Sequence, residues 1–216
     1  MNDSMNKVEI AYWSDPLCIW AFVARDKLAK VREDFGDKVQ INLHIVPVFG
    51  SIPQRFRDGS WSKAGVEGRI AAMQRIAREH AGLEICCQVW RDDPPSSSWT
   101  PSAAFKAVQM MVAAGQAPEG AEGAYLERMR EWFFLENRNV ARRSVQLALA
   151  ESLDIPRAPL EEVRDNGEAF AALWEDHQER ERLIGLTWQK ARGSRPPWDP
   201  DLRSISPHFR YPGPLS

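Results

Sequence analysis

Val8-Glu9-Ile10-Ala11-Tyr12-Trp13-Ser14-Asp15-Pro16-Leu17-Cys18-Ile19-Trp20-Ala21 is the stretch whose reading decides the fold. Its first half alternates loosely and breaks at Ser14-Asp15-Pro16, the pattern of a strand that ends in a turn. From Ile19 the apolar residues Ala21, Val23, Ala24, Leu28, Val31 and Phe35 recur at near-helical spacing, and Gly36 supplies a stop. Val39, Ile41, Leu43 and Ile45 then alternate with Gln40, Asn42 and His44 until Pro47 ends the run. His44 falls on the polar phase and is expected to be solvated. Strand, helix and strand in that order predict a parallel crossover, the opening unit of an α/β sheet. Cys18 therefore stands where a strand gives way to a helix. Backbone N–H groups there lack intrahelical partners and the helix dipole is positive, so a thiolate is favoured over a thiol.

Beyond Pro47 the chain turns helical for more than a hundred residues. The spacing predicts helices over Ser62 to His80, over Ser102 to Ala114 after Pro101, and over Ala121 to Glu136. Further helices are expected at Ser144 to Leu153, with Ser144 as N-cap, at Leu160 to Arg164 after Pro159, and from Glu168 to about Lys190. The Ser102 to Ala114 segment is strongly apolar and reads as central. From Ser194 the chain holds Pro196, Pro197, Pro200, Pro207, Pro212 and Pro214, which reads as irregular coil.

The 216 residues carry 28 Lys and Arg against 30 Asp and Glu, a net charge of −2, with 44% hydrophobic residues. That is an ordinary globular composition, and it gives no electrostatic reason to expect nucleic acid or an anionic membrane as partner. Met1 to Glu9 lacks the apolar core of a signal peptide, and the apolar run Leu17 to Ala24 is too short to span a bilayer, so the cytoplasm is the expected compartment. A structural disulfide framework is not expected there. Cys86 and Cys87 are neighbours, which strains any bridge between them, and they lie in a stretch, Leu83 to Val89, that reads as partly buried. No cysteine–histidine spacing matches a zinc site, so no metal is expected.

Trp13-Ser14-Asp15-Pro16-Leu17-Cys18-Ile19-Trp20-Ala21 resembles the active-site stretch of the DsbA-like thioredoxin-fold family: a strand, an Asp-Pro turn and a Cys-X-X-Cys that opens the first helix. The chain departs from that pattern at Ala21, where the family has its second cysteine. Arg91-Asp92-Asp93-Pro94-Pro95-Ser96-Ser97-Ser98-Trp99 and Phe133-Phe134-Leu135-Glu136-Asn137-Arg138-Asn139-Val140-Ala141-Arg142-Arg143 resemble segments of its bacterial helical-insertion subgroup. That subgroup is related to 2-hydroxychromene-2-carboxylate isomerase and kappa-class glutathione transferase. The likeness covers about residues 7 to 194. Gly193-Ser194 followed by Pro196-Pro197-Trp198 echoes the family's Gly-Ser-Pro-Thr-Trp with one residue extra, and in the family that proline is cis and lies against the catalytic sulfur.

The resemblance implies an α/β fold, a thioredoxin-like core of the DsbA type with a large all-helical insertion. Residues 1–54 would form its first half, 55–185 the insertion and 186–216 an irregular remainder. It implies Cys18 as nucleophile, with Asp15, Pro16, Trp20, Ser97, Ser98, Trp99 and Pro197 around the substrate. The substrates would be thiols or disulfides, with glutathione as co-substrate, no tightly bound cofactor, and neither nucleic acid nor membrane as partner. With Ala21 in the resolving position the ordinary two-cysteine cycle is unavailable unless Cys86 or Cys87 substitutes, which leaves monothiol chemistry completed by an external thiol.

Several assignments stay open. Asp15 reads either as a cap or as a proton acceptor near the sulfur, and its charge opposes thiolate formation. Trp20 reads as a lid or as core. Pro94 to Trp99 reads as an active-site rim, or as a turn in which Ser98 or Thr100 caps the next helix. Arg138, Arg142 and Arg143 read as a solvated face or as carboxylate ligands. Trp13, Trp20, Trp99 and Trp198 are candidates for an aromatic cleft, and His80, His177 and His208 show no partner pattern. Three function classes follow: a monothiol oxidoreductase, a glutathione-dependent transferase or isomerase, and a degenerate binding module without catalysis.

Overall fold

Strand β1 (Val8–Ser14) and strand β2 (Val39–Ile45) run parallel, with Val8 opposite Val39 and Ser14 opposite Ile45. The computed structural model describes residues 7–190, and the side chains of 184–190 are left out of the account. Pro197, Trp198, His208 and the proline-rich tail lie outside the described residues. Between the strands, the expected single helix is two: α1 (Ile19–Val23) and α2 (Arg25–Phe35), broken at Ala24. The burial pattern explains the break. Ile19, Ala21, Phe22 and Val23 sink into the core, whereas α2 buries none of its residues and leaves Phe35 52% exposed. Gly36 ends α2 at φ 49°, a backbone state glycine adopts without the Cβ penalty.

The helical part comprises α3 (Ile52–Arg57), α4 (Gly65–Ala81), α5 (Val89–Asp92), α6 (Trp99–Ala113), α7 (Ala121–Phe134), α8 (Arg143–Glu151), α9 (Arg157–Asp165) and α10 (Glu168–Lys190). Sequence periodicity misses α3 and α5, which are too short to show a period. Ser51 caps α3 by accepting from Gln54 N–H at 3.4 Å. Helix α4 starts at Gly65 rather than Ser62, and α6 starts at Trp99 rather than beyond Pro101. Arg142, not Ser144, holds the cap position of α8, and α9 begins at Arg157, ahead of Pro159.

Helix α6 is central, as its apolar sequence predicts: Ala104, Ala107, Val108 and Met111 are fully buried in the main core. Phe22 stacks on Phe134 at 4.8 Å, and Phe134 meets Phe133 edge-on at 5.0 Å, which ties α1 to the end of α7. Leu43 and Ile45 pack into a second cluster with Phe105, Leu126 and Leu173, which fastens the sheet to α6, α7 and α10.

Side chains hold two backbone groups on the flank of β2 away from β1. Leu43 C=O accepts from Gln109 Nε2 at 3.0 Å, and Ile45 N–H donates to Asp176 Oδ2 at 3.2 Å. Asp176 also binds Lys106 at 2.9 Å and His44 Nδ1 at 3.1 Å, and the His44 ring stacks on Trp13 at 4.2 Å. His44 is therefore not the solvated strand residue its phase predicts, because α10 brings a carboxylate to that edge. Among the described residues, β1 pairs with β2 alone.

Candidate active site

The turn Ser14-Asp15-Pro16-Leu17 delivers Cys18 to the start of α1. Asp15, Pro16 and Leu17 are buried, Cys18 is half-buried, and the Cys18 backbone is extended (φ −82°, ψ 116°), as a residue in the cap position must be. The N–H groups of Trp20 and Ala21 pull its thiol down, as expected at this junction, although neither closes a cap hydrogen bond to the sulfur. The expected net effect is reversed, however. Burial pushes the thiol above its ordinary value, and Asp15 adds to the rise; the two amides and the Arg130 guanidinium pull the other way without offsetting it.

Asp15 is the best-partnered group here. One carboxylate oxygen accepts from Leu17 N–H at 2.7 Å; the other accepts from Val48 N–H at 2.7 Å and from the Ser98 hydroxyl at 2.5 Å. Burial still pushes its carboxyl up to about 6, against the pull of those hydrogen bonds. The side chain thus ties the turn before Cys18 to the loop after β2 and to the start of α6. Ser98 does not cap α6, because its hydroxyl goes to Asp15 while accepting from Phe49 N–H at 3.2 Å. Ser97 Oγ accepts from Trp99 N–H at 3.3 Å instead, and Thr100 donates to Ala141 C=O at 3.2 Å.

The other candidates disperse. Trp20 is 52% exposed and meets His80 edge-on at 4.9 Å, so it is not core. Trp13 sits against His44, Trp99 packs on the second cluster, and His177 stacks on Trp174 at 5.2 Å. Among the described residues, these tryptophans are not brought together. Arg142 pairs with Asp93 at 2.6 Å, Arg143 with Asp165 at 2.6 Å, and Arg138 lies over Trp132 at 4.0 Å, all on the exposed surface. Cys87 is buried, and burial with the neighbouring Cys86 pushes its thiol to about 12, which removes it as a ready resolving thiolate. Cys86 N–H donates to Phe134 C=O at 2.7 Å, and all three cysteines are free.

Residues that sequence reasoning missed complete the surroundings. Arg130, from the middle of α7, is 4% exposed, donates to Ser14 Oγ at 2.8 Å, and acts electrostatically on Tyr12, Cys18 and Asp15. Arg69, from α4, lies over Trp61 at 4.3 Å and Trp90 at 5.3 Å; burial pushes its guanidinium down to about 10, and the sulfurs of Cys18 and Cys87 oppose that fall. Arg55 donates to Val48 C=O at 2.8 Å and lies over the same Trp61 at 5.3 Å. The one signal for them in the sequence was an arginine on a helix face otherwise apolar, as Arg69 beside Ile70 and Met73.

Comparison with known proteins agrees with this fold. A curated relative, the ClpXP adapter protein SpxH of Halalkalibacterium halodurans, is 29% identical over 147 residues, covering 67% of this chain and 44% of its own length. The chain thus spans less than half of that relative. The cytosolic disulfide reductase DsbM from Pseudomonas aeruginosa superposes with a TM-score of 0.61 at 23% identity, over 82% of this chain and 80% of that one. Its structure with GSH gives 0.55 over 82% and 81%. A 2-hydroxychromene-2-carboxylate isomerase gives 0.57 at 16% identity, over 81% and 80%. These likenesses show a shared thioredoxin-like fold. The family model described as thioredoxin matches residues 12–178, most of the 216, and the chain belongs to that thioredoxin family.

Proposed function

We propose that the chain is a thiol–disulfide oxidoreductase working through one thiol, with Cys18 as nucleophile and glutathione or a similar external thiol as co-substrate, in the cytoplasm. The observation that carries this reading is the place of Cys18, half-buried in the cap position of α1, where the Trp20 and Ala21 amides pull its thiol down. The Cys18 thiolate attacks one sulfur of a disulfide, forms a mixed disulfide and expels the other sulfur as a thiolate. An external thiolate then attacks the substrate sulfur of that mixed disulfide, releasing the Cys18 thiolate and a new external disulfide. Asp15, Pro16, Trp20, Ser97, Ser98 and Trp99 are proposed to shape the substrate's approach, with Pro197 as the partner that the family resemblance implies.

Mass spectrometry after treatment with glutathione disulfide tests this. One glutathione adduct, on Cys18 rather than on Cys86 or Cys87, is the expected result. An adduct confined to Cys86 or Cys87, or no adduct on Cys18, would overturn it.

A second reading draws on the raised Cys18 thiol, which favours chemistry that leaves the protein's own sulfur unreacted. In it the chain is a glutathione-dependent transferase or isomerase, and Cys18→Ser keeps its activity.

A further inference from the structure

A cavity of about 570 Å³ opens between the sheet, α2 and α7, lined by Tyr12, Arg25, Glu122, Glu127 and Arg130 among others. Neither Cys18 nor Asp15 lines it. Among the described residues, three of its wall residues carry buried polar atoms with no hydrogen-bond partner: Nη1 of Arg25, Nε of Arg130 and Oε2 of Glu122. Such atoms are rare in folded proteins, and each one calls for a partner. Arg130 is the strictest case. It is 4% exposed, its one side-chain hydrogen bond goes to the uncharged Ser14, and no carboxylate lies within ion-pair distance of it among the described residues. Burial pushes its guanidinium down, a cost that an incoming anion would offset. Arg25 is less extreme: its Nε pairs with Asp26 at 3.6 Å and its Nη1 lies 3.9 Å from Glu131, too far for a hydrogen bond.

The unmatched atoms are of both signs. Glu122 stands in the first turn of α7 and Arg130 two turns further on, with Arg25 reaching the neighbouring Glu131. An anion alone would leave the Glu122 oxygen unmatched, and a cation alone would leave the Nε of Arg130 and the Nη1 of Arg25 without hydrogen-bond partners. Glu122 and Arg130 lie on one helix, about 12 Å apart along its axis at 1.5 Å per residue. An extended tripeptide spans about 10 Å, and both side chains can close the remainder.

We propose that this cavity binds a zwitterion of about tripeptide length, its carboxylate held by Arg25 and Arg130 and its ammonium by Glu122. The site does not rest on the thiol reading of Cys18, since no wall atom belongs to the sulfur or its amides.

Isothermal titration calorimetry of the full chain with triglycine, N-acetyl-triglycine and triglycine amide tests the proposal. Saturable binding of triglycine is expected, with each blocked form weaker by roughly tenfold or more, because each loses one charge-assisted contact. Glu122→Gln should weaken triglycine and leave N-acetyl-triglycine unchanged, whereas Arg25→Gln should weaken triglycine and leave the amide unchanged. Cys18→Ser should bind triglycine as the parent does. Absence of saturable heat, blocked forms that bind as well as triglycine, or loss of binding in Cys18→Ser would each overturn it.

Discussion

The Ser98 hydroxyl donates to the Asp15 carboxylate at 2.5 Å across 83 positions of sequence, and both groups are buried. Because Ser98 also accepts from Phe49 N–H, one hydroxyl joins the start of α6 to the loop after β2 and the turn that presents Cys18.

Ser98→Ala should therefore cost about 2–3 kcal/mol, since a buried N–H and a carboxylate oxygen each lose a partner. The Ser98 bond is the largest influence holding the Asp15 carboxyl down, so its loss should raise that carboxyl further. Urea unfolding at pH 7, together with the pH dependence of stability, checks both. Unchanged stability would mean that water replaces the hydroxyl without loss.

Asp15 has a sign of its own. Its folded carboxyl lies near 6 against an ordinary 3.8, so below that ordinary value both folded and unfolded chains keep the proton. As pH rises from there the unfolded chain releases it first, and stability falls until pH passes the folded value. The loss from this one group is on the order of 3 kcal/mol. Asp15→Asn should flatten stability between about pH 4 and 6 relative to the parent. Parallel slopes for the two proteins would contradict the buried-carboxyl assignment.

Opposite charges flank the Cys18 thiol, so two substitutions should move it in opposite directions. In a Cys86→Ser, Cys87→Ser background, Asp15→Asn should lower the midpoint of the alkylation-rate profile against pH. Arg130→Gln should raise it, with Arg130→Lys restoring part of the shift. Movement of both midpoints in the same direction would point to a disturbed fold rather than to charge.

Ala21 is buried and its N–H faces the Cys18 sulfur. Ala21→Cys should let positions 18 and 21 form an internal disulfide, read as loss of two free thiols on mild oxidation. Retention of all four thiols would show that α1 holds the two β-carbons too far apart.

Asp176→Ala strands buried Lys106 and unpairs Ile45 N–H, and a loss of about 3 kcal/mol is expected in chemical unfolding. A much smaller loss would show that Gln109, bound to Lys106 at 2.7 Å, suffices for the lysine.

Much of this was legible in the chain. The alternation of Val39, Ile41, Leu43 and Ile45 gives β2 directly, and the Asp15-Pro16 break places Cys18 at a helix start. The apolar run of α6 marks it as central. What local patterns could not carry was long-range pairing. Nothing near His44 announces a carboxylate 132 positions away, and nothing near Ser98 announces Asp15. The state of the Cys18 thiol was misread for the same reason. Backbone amides follow from local geometry, whereas burial is set by α4, α7 and the loop around Val48, which the first turn of α1 cannot reveal. Arg69 and Arg130 leave only the faint trace of a charge on an apolar helix face, because a lone arginine on a helix looks solvated until its neighbours close over it.

Gln109 and Asp176 hold the outer flank of β2 at Leu43 and Ile45, so among the described residues the ribbon offers its unpaired backbone chiefly along β1, where Val8 stands 61% exposed. An extended segment that joined the sheet there would add a strand without displacing a side chain.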